Sequence, residues 1–475
     1  TEYEGFETYM NIDERSASFM ALGIAKAHKE PTVLVCTSGS AVAHYLPAML
    51  EAQYSGVPLI VLSADRPHTL LHVGAPQTVD QQKIFGTAVN YYEELAVPQE
   101  DHYYTYPRQV ARKAYMKAMD TKKGPVHINV PLFEPLVPEL DCKHFEEGRS
   151  PYKVFKPNYG DVFSCQNRSN NTSNASNVSD VSYTKNTTDN SANNVNNANN
   201  FNLLLAQYKR VLILAGPQIS VNEVESIHSF AENLQAPILA DPLSNVRRWH
   251  KTDAIDDNHE FNINRSNDTD MTQKKQFSDV VISTYDAFLA DKELWPVLKP
   301  DCVIQFGQMV VSKRVQQMVA SWDNVEYIEI NPTMDSMNPT GKTTIHMQAS
   351  IDMFTHLYAV KNESNAYLNS WQSLEVAGKA QLSTAIEEPS CFEGRTIREL
   401  QQHIPDNSQL LVANSMTIRD FDYFWFSGES DAVLYGNRGV NGIDGIVSTA
   451  LGLATNGQPT YLVTGDLSLF HDLNG

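Results

Sequence analysis

Short runs of consecutive apolar residues recur along this chain, and a helical pattern follows most of them. In the first 150 residues the runs are 32–36, 57–63 and the VHINV segment that begins at Val126. After Asp13, apolar residues recur at intervals of three and four, which is the spacing of one helix face. Apolar runs without polar alternation are typical of strands covered on both faces. The alternation therefore predicts a parallel sheet with helices on both of its faces.

Two further series of the same kind follow. Their runs lie at 209–216, 236–241, 301–307 and 326–331, and then, from near residue 391, at 409–414, 432–437 and 460–466. At about 150 residues for each domain, a chain of 475 residues has room for three. We therefore expect an α/β fold made of three consecutive parallel-sheet domains.

Asparagine, serine and threonine dominate residues 165–202, where large apolar side chains are almost absent. Such a segment cannot bury enough apolar surface to offset the entropy that it loses on ordering. We expect a disordered linker or loop insertion there, which proteases cut first and which tolerates deletion. A second polar loop is expected at 256–276, inside the following domain.

The net charge of −20 argues against two classes of partner. Nucleic acids and membrane surfaces are polyanions, which a chain this acidic repels. If the ligands are anionic, the cations that bind them must be gathered locally. The cysteines are odd in number and form no CxxC pair, which predicts buried, reduced thiols in a cytosolic protein; they are Cys36, Cys142, Cys165, Cys302 and Cys391.

Cationic side chains follow the ends of several predicted strands. Arg66 follows the run at 57–63, and Lys313 with Arg314 follows the run at 301–307. Arg419 and Arg438 repeat the pattern in the third series. Any one of them can be a solvated surface cation, but ligands bind at the carboxyl ends of parallel strands. Four such sites in an acidic chain predict a pocket for a multiply anionic small molecule, which arginine binds in bidentate fashion.

Three further segments have both a structural and a functional interpretation. Asp13 and Glu14 open the first predicted helix, where acidic residues are favoured whatever their function. Residues 37–40 (TSGS) follow a strand and form either an anion-binding turn or, as we expect from this segment alone, a simple tight turn. Asp466 follows a glycine at another strand end, where its carboxylate can bind magnesium, although Gly-Asp turns are common.

Taken together and in order, these segments resemble one family, the 2-succinyl-5-enolpyruvyl-6-hydroxy-3-cyclohexene-1-carboxylate synthases, which are thiamine-diphosphate-dependent enzymes of menaquinone biosynthesis. The resemblance spans nearly the whole chain except the Asn-rich stretch, and it is most specific in NRGVNGIDGIVSTALG and GDLSLFHDLNG. The other matching segments are DERSASFMALGIAK, VCTSGSAVAHYLPAMLEA, VPLIVLSADRP, GAPQTVDQQ, VHINVPLFEPL, LADPLSNVR and VIQFGQMVVSKR.

The resemblance implies a domain order. It implies a pyrimidine-binding domain at 1–150, a linker with the Asn-rich insert at 151–204, a central α/β domain at 205–385 and a diphosphate-binding domain at 386–475. The first and last domains are expected to be incomplete, because the family has a Gly-Ser-Arg-Ser segment upstream and a second magnesium ligand, an asparagine, downstream. We accordingly expect a piece truncated at both ends that is itself inactive and binds the cofactor weakly.

The resemblance also implies roles, residue by residue. Glu14 matches the catalytic glutamate that faces N1′ of the cofactor's aminopyrimidine ring, and Ile443 matches the apolar residue that holds the cofactor bent. Asp466 matches the first ligand of magnesium, or of manganese in its place, and Ser468 lies in the same cofactor-binding segment. The positions that match substrate-binding residues are Arg66, Gln77, Lys313, Arg314, Ser415, Arg419 and Arg438. Pro76 departs from the family, which usually has asparagine there, so one side-chain contact is lost.

The reaction implied is the decarboxylation of 2-oxoglutarate on thiamine diphosphate, followed by conjugate addition of the succinyl carbanion to isochorismate, with release of CO2. Both substrates are dicarboxylates, which agrees with the cations at the strand ends. The resemblance further implies a cytoplasmic homodimer or homotetramer with the active site between subunits. No nucleic acid or membrane partner is expected.

Two other functions stay open on the sequence. Another thiamine-diphosphate-dependent 2-oxo-acid decarboxylase or synthase, such as an acetolactate synthase, would share the fold. Those enzymes usually have GDG where this chain has Gly-Asp-Leu at 465–467, and they lack the run of arginines. A non-catalytic α/β binder of anionic metabolites would keep the fold without the chemistry. Glu14 distinguishes a thiamine-diphosphate-dependent enzyme from a non-catalytic binder, because a binder has no need of a carboxyl group against the aminopyrimidine.

Overall fold

The computed structural model describes most of the chain outside the Asn-rich stretch. The described residues are 5–97, 105–134, 202–248, 250–252, 274–276, 278–333, 335–358, 360–363, 366–387 and 392–475. The linker predicted at 165–202 lies outside them except for its last residue, as does most of the polar loop predicted at 256–276. Cys142, Cys165 and Cys391 also lie outside the described residues.

The first sheet has four strands, all parallel, in the order β1-β2-β4-β3. Its three predicted strands are confirmed, whereas β3 was not predicted. The first predicted helix is also confirmed, since Oδ1 of Asp13 accepts the N–H of Ser16 at 2.9 Å and so caps it. The elements are α1 (Glu14–His28), β1 (Thr32–Cys36), α2 (Leu46–Ser55), β2 (Leu59–Asp65), β3 (Tyr91–Glu94), α3 (Thr105–Ala118) and β4 (Pro125–Pro131).

β1 corrects the expectation that the apolar runs are covered on both faces. Val33 and Val35 are 44% and 71% exposed, whereas Leu34 and Cys36 on the opposite face are buried. β1 is the edge strand, and the apolar cluster of α1 and α2 packs on one of its faces. An apolar run alone does not tell an edge strand from a central one.

The second sheet has six parallel strands in the order β12-β11-β10-β5-β6-β9, with an apolar cluster on each face. Cys302 is a buried free thiol here, and Cys36 is one in the first sheet, as predicted. The elements are β5 (Val211–Ala215), α4 (Val224–Leu234), β6 (Ile238–Ala240), β7 (His250–Thr252), β8 (Lys274–Gln276), β9 (Val281–Ile282), α5 (Tyr285–Phe288), α6 (Leu294–Val297), β10 (Cys302–Phe306), α7 (Lys313–Ser321), β11 (Glu326–Asn331), β12 (Ile345–Gln348), α8 (Ile351–Leu357) and α9 (Ala366–Glu387).

A small antiparallel pair stands apart from this sheet. β7 pairs with β8, so residues 274–276 form a strand where the sequence predicted the end of a polar loop. Lys274, Lys275 and Gln276 show no apolar run that would predict a strand. The backbone pairing with β7 therefore decides the local structure.

The third sheet has three parallel strands in the order β14-β13-β15. All three were predicted, and the α/β fold class of consecutive parallel sheets is confirmed. The elements are α10 (Glu393–His403), β13 (Gln409–Val412), α11 (Met416–Phe424), β14 (Val433–Tyr435), α12 (Ile446–Leu453), β15 (Thr460–Val463) and α13 (Asp466–His471).

The second and third sheets are joined through the fully buried Arg247. Its Nη1 donates to the backbone oxygens of Asp422 at 3.1 Å and Trp425 at 2.9 Å, at the end of α11. Its Nη2 donates to Oδ1 of Asp422 at 2.6 Å, and its Nε donates to the oxygen of Ala240 in β6 at 2.7 Å. Burial raises the pKa of Asp422 to about 7, although the charge of Arg247 opposes that shift. α11, which carries Arg419, is therefore fixed against the end of β6.

Across the described ranges, no helix combines the length and the apolar character that a membrane crossing requires.

Candidate active site

Glu14 is the first residue of α1, and its carboxylate is partly buried. Burial raises the pKa of the Cys36 thiol to about 11, and the nearby Glu14 carboxylate adds to that rise. Glu14 therefore lies near the carboxyl end of β1. Among the described residues, no hydrogen bond or ion pair reaches this carboxylate. A partly buried carboxyl group without an internal partner is available to a ligand.

Residues 37–40 form a tight turn after β1, and a glutamine-containing loop packs against it. Gly39 has a φ of +94°, a conformation that favours glycine, and its N–H donates to Oε1 of the buried Gln81 at 2.8 Å. Nε2 of Gln77 donates to Oγ1 of Thr37 at 3.0 Å. The predicted substrate residue Gln77 therefore lies on this turn, with its amide nitrogen already engaged.

Arg66 directly follows β2, and a buried polar network lies behind it. Oδ1 of Asp65 accepts the N–H of Arg66 at 2.7 Å, and Oδ2 accepts a bond from Asn129 Nδ2 at 2.7 Å. Ser63 Oγ donates to Asn129 Oδ1 at 2.8 Å and lies 2.7 Å from Nε2 of His127. Burial lowers the pKa of His127 to about 4, so its imidazole is neutral at pH 7. The network fixes the end of β2 and with it the backbone of Arg66.

The two cations predicted after β10 have different surroundings. Lys313 is exposed in the first turn of α7. Nη1 of Arg314 lies 2.5 Å from Oδ2 of Asp286 and also contacts the hydroxyl of Tyr423 in α11. Asp286 therefore already neutralises Arg314, and an anionic ligand that binds here must compete with that carboxylate.

Arg438 and Arg419 lie beyond the ends of β14 and β13, near enough for their charges to interact. Nη1 of Arg438 donates to Oδ1 of Asn414 at 2.7 Å. Burial lowers the pKa of Arg438; the buried Asp241 carboxylate opposes that shift, and the charge of Arg419 adds to it. The mutual repulsion of two neighbouring guanidinium groups is relieved when an anion binds between them.

Ser415 has a strained backbone at the start of α11. Its φ is 70° and its ψ is −125°, and its side chain is exposed. A non-glycine residue in such a conformation costs on the order of 1–3 kcal/mol, and strain of this kind clusters at functional sites. Here it lies next to Asn414, which anchors Arg438.

Asp466 and Ser468 both lie in α13, but only Asp466 faces solvent. Ser468 is 4% exposed, so its side chain is buried. In the same chain, Nη2 of Arg15 donates to the backbone oxygen of His471 at 2.6 Å. This bond places α13 beside the start of α1, where Glu14 lies.

Ile443 lies in the loop between β14 and α12, which packs on α1. A Cβ on Gly445 would come within 1.9 Å of the ring of Phe19, so only glycine permits this approach. The partly exposed Ile443 is thereby held near the helix that carries Glu14. A cavity of about 210 Å³ adjoins this contact and is lined by Phe19, Leu46, Pro47, Leu50, Glu51, Asn437, Val440, Gly442 and Asp444.

Six of the seven predicted substrate residues fall into two groups in the structure, and the seventh, Lys313, is exposed next to Arg314 in the sequence. One group surrounds α11 and contains Arg314, Ser415, Arg419 and Arg438. The other consists of Arg66 and Gln77 in the first sheet. Within the described part of the chain, no hydrogen bond or ion pair joins the second group to the first.

Sequence reasoning missed several buried polar side chains near these groups. Among the described residues they include Asn414, which bonds Arg438, Gln81, which holds the turn at Gly39, and the pair of Lys26 and Glu51. A signal was available for Glu51, since it interrupts the apolar segment AMLEA in α2. A charged residue on the buried face of a helix is rarely found without a partner.

The side chains near the start of α1 fit thiamine diphosphate by their chemistry. Glu14 offers a carboxyl group that has no partner among the described residues, and Ile443 offers a partly exposed aliphatic side chain. Asp466 offers an exposed carboxylate, the type of ligand that magnesium prefers. Among the described residues, no group of three or more His, Cys, Asp or Glu side chains is arranged to hold a metal.

Two family models match the chain. Residues 1–84 match the N-terminal TPP binding domain of thiamine pyrophosphate enzymes. Residues 269–412 match a model described as the middle domain of thiamine pyrophosphate. With the three parallel sheets, these matches define a thiamine-diphosphate-dependent enzyme.

Named relatives narrow this class further. A 2-succinyl-5-enolpyruvyl-6-hydroxy-3-cyclohexene-1-carboxylate synthase from Lactococcus lactis subsp. cremoris is 44% identical, over all of this chain and 74% of the relative. Synthases of the same name from Desulfitobacterium hafniense and Bacillus cytotoxicus are 40% and 35% identical, over 99% and 100% of this chain and 74% and 73% of theirs. The chain belongs to this synthase family, as the sequence motifs indicated. It is an enzyme of menaquinone biosynthesis that forms a carbon–carbon bond.

Proposed function

We propose that this enzyme decarboxylates 2-oxoglutarate and adds the resulting succinyl unit to isochorismate, with release of CO2. The name of its relatives describes a product that carries a succinyl group on a cyclohexene carboxylate. Decarboxylation of 2-oxoglutarate supplies the succinyl carbons, and isochorismate supplies the ring. The cationic group around α11 supports two substrates that each carry two carboxylates.

In this proposal Glu14, Ile443, Asp466 and Ser468 form the cofactor site. Bound thiamine diphosphate supplies the nucleophilic carbon and takes up the electrons released by decarboxylation. Glu14 holds a proton at N1′ of the aminopyrimidine, and Ile443 supports the bent shape of the cofactor. Asp466 binds Mg2+ or Mn2+ through its carboxylate. Ser468 supports this segment from its buried position in α13.

The substrate carboxylates are assigned to the two cationic groups. Arg314, Arg419 and Arg438 bind and orient carboxylates, with Lys313 and the Ser415 hydroxyl beside them. Arg66 and Gln77 contribute from the first sheet, at the end of β2 and on the turn at 37–40. Asp286 releases Arg314 when a substrate carboxylate takes its place.

The proposal extends to assembly and location. Residues 1–150, 205–385 and 386–475 are three domains, with a linker at 151–204. The enzyme is a homodimer or homotetramer whose active site lies between subunits. It works in the cytoplasm, which the buried free thiols of Cys36 and Cys302 support.

The observation that carries the catalytic proposal is the Glu14 carboxylate, which is partly buried and without a described partner. In the full-length enzyme, Glu14→Gln removes the proton-holding group with little change in shape. It should lower kcat on 2-oxoglutarate and isochorismate about 100-fold or more, the usual scale for losing a general acid–base group. Glu225→Gln, at an exposed position in α4, is the matched control and should leave kcat unchanged. Undiminished turnover by Glu14→Gln would overturn the assignment, and turnover of another 2-oxo acid instead would overturn the substrate.

A further inference from the structure

Two buried charged side chains, Lys26 in α1 and Glu51 in α2, hold the loop that follows β14. Their side chains are 7% and 2% exposed, and Nζ lies 3.9 Å from Oε1. Burial lowers the pKa of Lys26 to about 8, against the opposing effect of Glu51, so the amine is still protonated at neutral pH. A buried ion pair is costly unless hydrogen bonds satisfy its remaining donors and acceptors. Here residues 436–440 provide most of those bonds, and the Ser55 hydroxyl donates one more to Oε1 of Glu51.

The positive and the negative member of the pair bind opposite kinds of group in the loop. Nζ of Lys26 donates to the backbone oxygen of Gly436 and to the side-chain oxygen of the next residue, both at 2.7 Å. The Glu51 carboxylate accepts the N–H groups of Gly439 at 2.9 Å and Val440 at 2.8 Å. The cation thus binds acceptors at the start of the loop, and the anion binds donors at its end.

The two glycines of the loop make this approach possible. A Cβ on Gly439 would lie 2.5 Å from the backbone oxygen of Glu51 and 2.7 Å from Oγ of Ser55. A Cβ on Gly436 would lie 2.6 Å from Cδ1 of Leu243. The loop therefore lies in direct contact with α2 on one side and with the second sheet's connections on the other.

Arg438 lies between the two fixed ends of the loop. Its guanidinium group is held by Oδ1 of Asn414, whose Nδ2 donates to the backbone oxygens of Asn437 and Gly442, both at 2.7 Å. The position of the guanidinium group is therefore set by this amide and by the backbone that Lys26 and Glu51 hold.

We propose that Lys26 and Glu51 are positioning residues for substrate binding, which fix residues 436–440 so that Arg438 meets a substrate carboxylate. This inference rests on the proposed role of Arg438. The pair acts through the loop, and the Glu51 carboxylate also acts on Arg438 directly by its charge. The helices α1 and α2, which pack on the first sheet, thus help to position Arg438, which follows a strand of the third sheet.

The test compares Lys26→Met, Lys26→Arg and Glu51→Gln with Lys117→Met, a control at a half-exposed position in α3. In enzyme loaded with thiamine diphosphate and Mg2+, Lys26→Met and Glu51→Gln should raise the KM of at least one dicarboxylate about tenfold, with kcat changed less than about threefold. Hydrogen–deuterium exchange of residues 436–443 should accelerate in the same variants. Lys26→Arg keeps the positive charge and can donate the same two hydrogen bonds, so its KM and its exchange rate at 436–443 should be close to those of the parent. Lys117→Met should change neither the KM nor the exchange rate.

Two results distinguish a failure of the positioning role of Lys26 and Glu51 from a failure of the proposed role of Arg438. If Lys26→Met and Glu51→Gln lower the melting temperature but leave KM and the exchange of 436–443 unchanged, the pair is only structural and the inference is overturned. Arg438→Ala tests the premise, because it should raise the same KM without accelerating exchange at Lys26. If Arg438→Ala leaves both KM values unchanged, the proposed role of Arg438 fails, and the exchange data still measure whether the pair fixes the loop. Should Lys26→Met not fold, Glu51→Gln and Lys26→Arg give the same comparison.

Discussion

Gly23 and Gly452 face each other where α1 crosses α12. A Cβ on Gly23 would lie 2.1 Å from the backbone oxygen of Thr449 and 2.9 Å from Cα of Gly452. The two helix backbones are therefore in direct contact, and nothing larger than a hydrogen atom fits between them. The crossing joins the helix that begins at Glu14 to the helix that follows Ile443.

The first prediction concerns this crossing. Gly23→Ala should lower the free energy of unfolding by about 1–3 kcal/mol, because the added methyl group meets backbone atoms that cannot turn aside. Urea denaturation of the variant measures the loss. Gly465→Ala is the matched control for stability, since Gly465 has a φ of −78° and no described residue comes within 4 Å of the added Cβ. Equal urea midpoints for Gly23→Ala and the parent would contradict the close crossing.

The predictable part of the fold is the set of buried runs. β5, with the sequence VLILA, was predicted because five consecutive apolar residues indicate a strand covered on both faces. β3 was not predicted, because its sequence YYEE forms no apolar run. It is a strand because it pairs with β4. The local sequence pattern does not predict a strand whose formation depends on its pairing partner.

Some features of the candidate site were likewise predictable from the sequence, and others were not. Cations after strand ends were predictable, because parallel strands end at one edge of a sheet. The neutralisation of Arg314 by Asp286 was not, since the two meet across the fold from separate helices. The orientation of Gln77 and the burial of Ser468 likewise depend on neighbours that no local spacing reveals.

The second prediction is a pH dependence of stability that arises from His127. Its pKa is about 4 in the folded chain and about 6.5 when unfolded, because burial disfavours the charged form. The stability from this group is fully present above pH 6.5 and is lost as the pH falls through 4. That pKa difference corresponds to about 3 kcal/mol. His127→Gln should remove this part of the acid sensitivity, measured as urea midpoints between pH 7 and pH 4.

The control for His127 is an exposed histidine. His403 has a side chain that is 74% exposed, so His403→Gln should leave the pH profile of stability nearly unchanged. Parallel profiles for the parent and His127→Gln would show that His127 is not buried as a neutral imidazole.

The third prediction separates stability from activity at Ser415. Ser415→Gly relieves the backbone strain at φ 70° and should raise the free energy of unfolding by about 1 kcal/mol. The same change removes the hydroxyl that we assign to substrate binding, so kcat/KM should fall. Asn407→Gly is the control, because Asn407 has a φ of 60°, which asparagine tolerates, and it lies outside the proposed site. A variant Ser415→Gly that is less stable than the parent would contradict the strain.

The fourth prediction tests whether subunits share the active site. Full-length chains that carry Glu14→Gln or Asp466→Ala should each be inactive, and mixing them should restore activity, because one of the two sites in each heterodimer then has both residues intact. Random mixing makes half of the dimers mixed, so about one quarter of the parent activity is expected. Within one chain the bond from Arg15 to His471 also places α13 beside α1, so a site completed by a single subunit is the alternative that this experiment tests. If native mass spectrometry shows mixed dimers and activity stays at the level of either variant alone, each chain completes its own site, and the proposal of a shared one is wrong.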